Sequence, residues 1–148
     1  MNTAFLPSQR AAIVGVVTPQ SASTAKSSGW IDATSFHNYL AAIAVGTLGA
    51  SATVDAKLEQ ATDSGGTGAK DVTGKSITQL TKAGSDDDKQ VLINLAQPDL
   101  DFANGFKFFR LTVTPATALC PIAGMIFGLD PRYGVASDYD AASVDEIV

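Results

Sequence analysis

Alternation with a period of two dominates the apolar pattern of this chain, and it is clearest between residues 36 and 63. Across 52–62, Ala52, Val54, Ala56 and Leu58 fall on one side and Thr53, Asp55, Lys57 and Glu59 on the other. That is the pattern of an antiparallel strand with one wet face. A helix competes for the same residues, because Val54, Leu58 and Ala61 also fall at i, i+4, i+7 among good helix formers. The period-two count favours the strand. Across 39–48, Tyr39, Ala41, Ile43, Val45 and Thr47 point one way and Leu40, Ala42, Ala44, Gly46 and Leu48 the other. Both sides are apolar, so this strand is expected to be central or covered on both faces. A turn at Gly49-Ala50-Ser51 joins the two.

Further strands are expected at 11–17, ended by Thr18-Pro19, and within 70–81, centred on 77–80. Residues 89–95 alternate, with Val91, Ile93 and Leu95 against Gln90, Leu92 and Asn94. Residues 106–114 are rich in aromatic and β-branched types and are closed by Pro115. A last strand spans 119–129, where Gly124 and Gly128 are candidate bends or bulges. Between these lie a polar loop at 20–29 anchored by Trp30, a glycine-rich connection at 63–69 and a charged hairpin tip at 82–88. Short strands separated by turn signals, without a long amphipathic helix, predict an all-β fold. The expectation is a single-domain antiparallel β-sandwich or barrel over 11–129, with extended arms at 1–10 and in the acidic tail 130–148.

A length of 148 residues suits one domain with a real core. The formal charge of −5, with ten basic residues scattered along the chain, argues against direct nucleic-acid binding. No apolar run reaches the roughly 18–20 residues of a membrane helix, and the first residues do not read as a signal peptide. A chain made and kept in the cytoplasm, or in an assembly formed there, is expected. Charged residues are only 17% of the sequence, a composition that suits packing against other subunits.

Candidate chemistry is sparse. The lone His37 and lone Cys120 lie in no nucleophile motif, Cys120 reads as a buried small hydrophobe, and the two are too few for a closed zinc site. Asp86, Asp87 and Asp88, and Asp99 with Asp101, raise calcium, but without EF-hand spacing they read as turn chemistry. The glycines at 65, 66 and 68 lack the Gly-Lys-Ser/Thr ending of a phosphate loop. Phe102, Phe106, Phe108 and Phe109, beside Lys107 and Arg110, read as core and interface packing rather than a base-stacking platform. No catalytic, metal or cofactor-binding residues are assigned, and the chain is expected not to be an enzyme.

In the order of its segments over 28–129, the chain resembles small virion structural proteins of tailed bacteriophages, of the head decoration or cement type. The residues that carry this are Gly29-Trp30-Ile31-Asp32, the run 41–46, the run 52–63, the segment 75–80 and Leu100-Asp101 ahead of Phe106. The resemblance implies a capsid decoration protein, assembled into the virion in the host cytoplasm, that stabilises the shell by bridging neighbouring major capsid subunits. It also implies a symmetric homo-oligomer; three-fold capsid axes favour a homotrimer. No site residues carry over, because such proteins act through broad surfaces. A neck or tail structural role is the alternative within this class. A carbohydrate-binding β-sandwich is the alternative outside it, with Trp30, Tyr39, Tyr133 and Tyr139 as its only stacking candidates.

Overall fold

The computed structural model describes residues 5–148, so the first four residues of the expected N-terminal arm lie outside the described residues. The chain forms one short helix, α1 (Pro7–Arg10), then strands β1 (Ala11–Ala22), β2 (Lys26–Ser27), β3 (Ile31–Asp32), β4 (Phe36–Val45) and β5 (Thr53–Ala61). It continues through β6 (Lys70–Ser76), β7 (Leu80–Thr81), β8 (Gln90–Ala96), β9 (Phe108–Ala116) and β10 (Cys120–Pro131). Single 3-10 turns at Gln97–Asp99, Phe102–Asn104 and Ala136–Tyr139 complete it.

Among the described residues all pairings are antiparallel and fall into two sheets. The first has the order β1-β10-β4-β8; the second has β2-β9-β5-β6, with β3 also on β9 and β7 also on β5. The expected all-β sandwich is the observed fold. Chain order passes back and forth between the layers, so sequence neighbours such as β4 and β5 sit in different sheets.

β5 is a strand, as the period-two count required: Val54, Ala56 and Leu58 are buried while Asp55 is exposed. Its alternation lays one apolar row on the core, whereas in a helix Ala56 would fall on the side opposite Val54 and Leu58. Between the sheets, Ile43 and Ile126 from the first meet Leu58, Leu111 and Phe109 from the second in one buried cluster. The Tyr39 ring lies edge-on to Phe109, with centroids 4.7 Å apart, and its hydroxyl donates to the Asp32 carbonyl at 3.3 Å. Burial pushes the Tyr39 phenol up to about 12, which keeps it neutral inside the core.

Several boundaries differ from the sequence expectation. β1 does not stop at Thr18-Pro19 but runs to Ala22, because shifts in register after Ile13 and Val17 let it continue along β10. The bulges therefore lie in β1, not at the glycines of β10. Gly124 and Gly128 are straight-strand positions where neighbours need the space: a Cβ on Gly124 would stand 2.9 Å from Leu111 Cδ2, and one on Gly128 2.5 Å from Phe36 Cδ2. Pro115 does not end β9; it is buried opposite Val54, beyond the point where β2 pairs with β9 at Val113, so its missing N–H costs no ladder bond there. Within 70–81 the longer strand is the earlier part, β6, which pairs with β5 through Lys70, Asp71 and Ser76.

The loop 20–29 and the acidic tail expected as an extended arm are tied to the sandwich over part of their length. In the loop 20–29, Lys26 and Ser27 pair with Val113 and Thr112. In the tail, Ala136 is buried and Tyr139 sets its ring edge-on to Phe36 at 5.4 Å. The Ile13 N–H donates to Asp140 Oδ1 at 2.8 Å and the Ala141 N–H donates to the Ile13 carbonyl at 2.7 Å, so the tail occupies the outer edge of β1 at that residue.

Candidate functional site: an uncharged sheet face

The outward side of the first sheet is built from alternate residues of β1, β10, β4 and β8, and pairing register places them in rows. One row runs Val16, Met125, Ala42, Leu92. The next runs Ile13, Phe127, Leu40, Asn94, and a third crosses from Ala123 through Ala44 to Gln90. No residue in these rows carries a charge. Leu92 and Met125 are 62% and 43% exposed in one row of this face, and burying them would be favourable. Beside Met125, the small side chains of Ala42, Ala44 and Ala123 leave a shallow apolar depression of about 190 Å³.

The doubly apolar pattern of β4 is met by a central position without cover on both faces. The strand is central, between β10 and β8, but only its Tyr39, Ala41, Ile43 and Val45 side is covered. β10 carries the same signal: Ile122 and Ile126 go inward while Met125 and Phe127 go outward. Adjacent doubly apolar strands in an antiparallel sheet mark a face that is apolar without being core.

The second sheet faces outward with the opposite chemistry. Glu59 Oε2 accepts from Arg110 Nε at 2.7 Å and from the Thr112 hydroxyl at 2.7 Å, and Lys57 Nζ reaches Asp71 at 2.6 Å. The Arg110 guanidinium also stacks over Trp30 at 4.5 Å. Burial raises the proton affinity of Glu59, but the Thr112 and Arg110 bonds outweigh it and hold its carboxyl below the usual range. The sandwich therefore has one polar, ion-paired face and one apolar face.

The residues singled out for chemistry are dispersed. His37 is exposed near the Pro131 end of the β4–β10 ladder, and Cys120 is buried beyond the Val45 end. About ten residues of strand separate them, on the order of 30 Å, so they do not form a pair. Cys120 donates to the Ala118 carbonyl at 3.5 Å. Among the described residues no group of three or more His, Cys, Asp or Glu side chains is placed to hold a metal ion. Nor do the aromatic candidates form a platform: Tyr39 is buried, Trp30 lies beneath Arg110, Tyr139 packs on Phe36, and Tyr133 stands alone, 72% exposed. Phe109 is core, and Phe106 sits under Lys70 Nζ at 4.0 Å. No helix among the described residues is long and apolar enough to cross a membrane.

The acidic turns brace loops. Asp86 accepts from Lys89 at 2.8 Å and from the Thr81 N–H at 2.9 Å; Asp87 accepts from Lys82 at 2.6 Å and from the Leu48 N–H at 2.9 Å. Asp101 accepts from Lys70 at 2.7 Å and from the Asn104 amide at 2.9 Å. The bond from Lys89 lowers the Asp86 pKa, that from Lys82 lowers Asp87, and that from Lys70 lowers Asp101. A carboxyl that binds its proton less tightly when folded adds stability that is fully present above its unfolded pKa of about 4 and is lost as pH falls through the lower folded value. The thermal midpoint is thus expected to hold from about pH 7 to 5 and to drop below about pH 4. A midpoint that rises on acidification, followed by circular dichroism, would contradict this role.

Taken together, fold and surface define a two-sheet antiparallel β-sandwich with one uncharged apolar face and one ion-paired face. No protein-family model matches the chain, and no curated protein matches it.

Proposed function

We propose that this chain is a virion structural protein of the head decoration type, a subunit that stabilises a phage capsid by bridging neighbouring major capsid subunits. The observation that carries this reading is the uncharged outer face of the β1-β10-β4-β8 sheet, on which Leu92 and Met125 stand exposed. A surface of that kind works by contact. It has neither the convergent polar groups of a binding pocket nor the paired acid and base of a catalytic cleft.

The low charge of the chain and its segment resemblance to phage virion proteins support the same reading. Bridging acts on the shell by adding contact area that must be lost before the shell opens, and many copies multiply a modest contact. A closed homo-oligomer is the economical way to present such contacts around a symmetry axis, a trimer where the axis is three-fold.

The test is to add the purified chain to capsids that lack it. Saturable binding at hundreds of copies per shell, with a raised temperature of shell disruption, is the expected result. A bound copy number fitting a single ring would move the role to the neck or tail. Absence of binding, with shell stability unchanged, would end the proposal.

A further inference from the structure

We infer that the outer face of the β1-β10-β4-β8 sheet is covered by the same face of a second copy of this chain, the two sheets packing across a two-fold axis. This deepens the reading above and rests on it in one respect, that the face acts by contact. It leaves the ion-paired sheet and the loops to meet other proteins.

Three features of the face select a second copy as its occupant. The first is shape. Met125 projects beside the depression formed by Ala42, Ala44 and Ala123. Consider a two-fold axis lying in the interface, parallel to the strands and between β10 and β4. Rotation about it sets each β10 over the partner's β4, because these strands are neighbours in the sheet order. Met125 and Ala42 are direct register partners. Each Met125 therefore lands on the small residue of the other copy, and Leu92, at one edge of that row, lands on Val16 at the other. Each contact is made twice, residue i on j and j on i, as an isologous interface requires. The flexible Met125 thioether is well suited to fill the gap over Ala42, and in the next row Phe127 meets the partner copy's Leu40.

The second feature is charge. Each copy has a formal charge of −5, and association through a surface that carried part of it would set like charges opposite one another. The rows of this face carry none. A lipid or nucleic-acid surface would call for basic residues there, and the rows have none of those either.

The third is area. Four strands at ~4.8 Å spacing and about eight residues of strand length give a face of about 500 Å². Two such faces bury about 1,000 Å², at the lower end for a specific protein contact. A pair of that size is expected to dissociate in the micromolar range rather than to be permanent. Sheets meeting this way keep their strands within about 30° of each other, about 10 Å apart, like the two layers already present in each copy.

Sedimentation of the full chain from ~1 to ~200 μM spans that range. The expected result is a mass rising from the 15.2 kDa protomer to twice that value. Met125→Asp and, separately, Ala44→Lys are expected to leave only the protomer at every concentration while keeping the wild-type circular dichroism spectrum. Ala44 is exposed and small, so its replacement tests the face even if Met125→Asp disturbs folding. A wild-type chain that stays at the protomer mass throughout, one that saturates at three protomers, or a pair that survives both substitutions would overturn the inference. A wild-type chain that never pairs yet binds capsids removes this inference alone, and a wild-type pair that never binds capsids removes the capsid reading alone.

Discussion

Phe36→Ala is expected to destabilise the fold by about 3–5 kcal/mol, the range for deleting a fully buried aromatic ring. Phe36 is 0% exposed, the ring packs edge-on to Tyr39 at 5.7 Å and to Tyr139 at 5.4 Å, and it fills the space above Gly128. Because β4, β10 and the tail all rest on this ring, its removal leaves a cavity that no single neighbour can close. For a domain of this size that loss corresponds to a fall in Tm on the order of 10 °C, against a total stability of about 5–15 kcal/mol. Urea unfolding should show a lower midpoint with an unchanged slope. A loss under about 1 kcal/mol would mean that the ring is not packed as described. Hydrogen exchange should also show the amide of Ala141 opening in this variant, since Tyr139 loses the partner that seats the tail on β1.

Gly128→Ala is expected to cost about 2–3 kcal/mol by the opposite route, overpacking. Its Cβ would lie 2.5, 2.6 and 2.8 Å from three carbons of the Phe36 ring. A flexible chain end could give way, but a ring held between Tyr39 and Tyr139 cannot turn aside. The two effects are coupled through one space, so the combination with Phe36→Leu should cost less than the sum of the single changes, by about 1 kcal/mol or more. Strict additivity in the double-mutant cycle would show that the ring and the glycine do not share that space.

Much of the fold was legible because it rests on local alternation. β5 and β8 each carry one dry and one wet face, and Ile93 and Leu95 are buried as the pattern of 89–95 required. What was not legible depends on partners distant in sequence. The extension of β1 past Pro19 is possible only because β10 lies alongside with room for two register shifts. The small side chain at Gly128 is required by a ring ninety-two positions earlier, which no local window contains. Pro115 breaks strands in general and is harmless here because of which neighbour is missing.

The candidate site was half legible for the same reason. Residues 39–48 are apolar on both sides in the sequence, which called for a strand that is central or covered on both faces, and the strand is central. Within one copy the chain supplies one cover only, since β5, β9 and their neighbours close the inner side while the outer side of β4 and β10 stays open. A strand pattern states how many faces want burial, but whether the second is buried within the chain or between chains is settled by topology. His37 and Cys120, the only residues of their types, were marked by composition, and the ladder places them at opposite ends of the same strand pair.

The bonds from Ile13 to Asp140 and Ala141 have a consequence for growth. A sheet with bare edges can add strands end over end without limit, and such growth gives ribbons rather than particles of fixed size. Here the chain lays its own residues along the β1 edge, spending two backbone groups that another molecule would otherwise recruit. At Ile13 that edge is occupied, so a strand of another molecule cannot pair there, and the two-fold contact inferred above for the flat side would close without leaving anything further to add. The tail thus closes one point of a sheet edge to a neighbour as well as completing the fold.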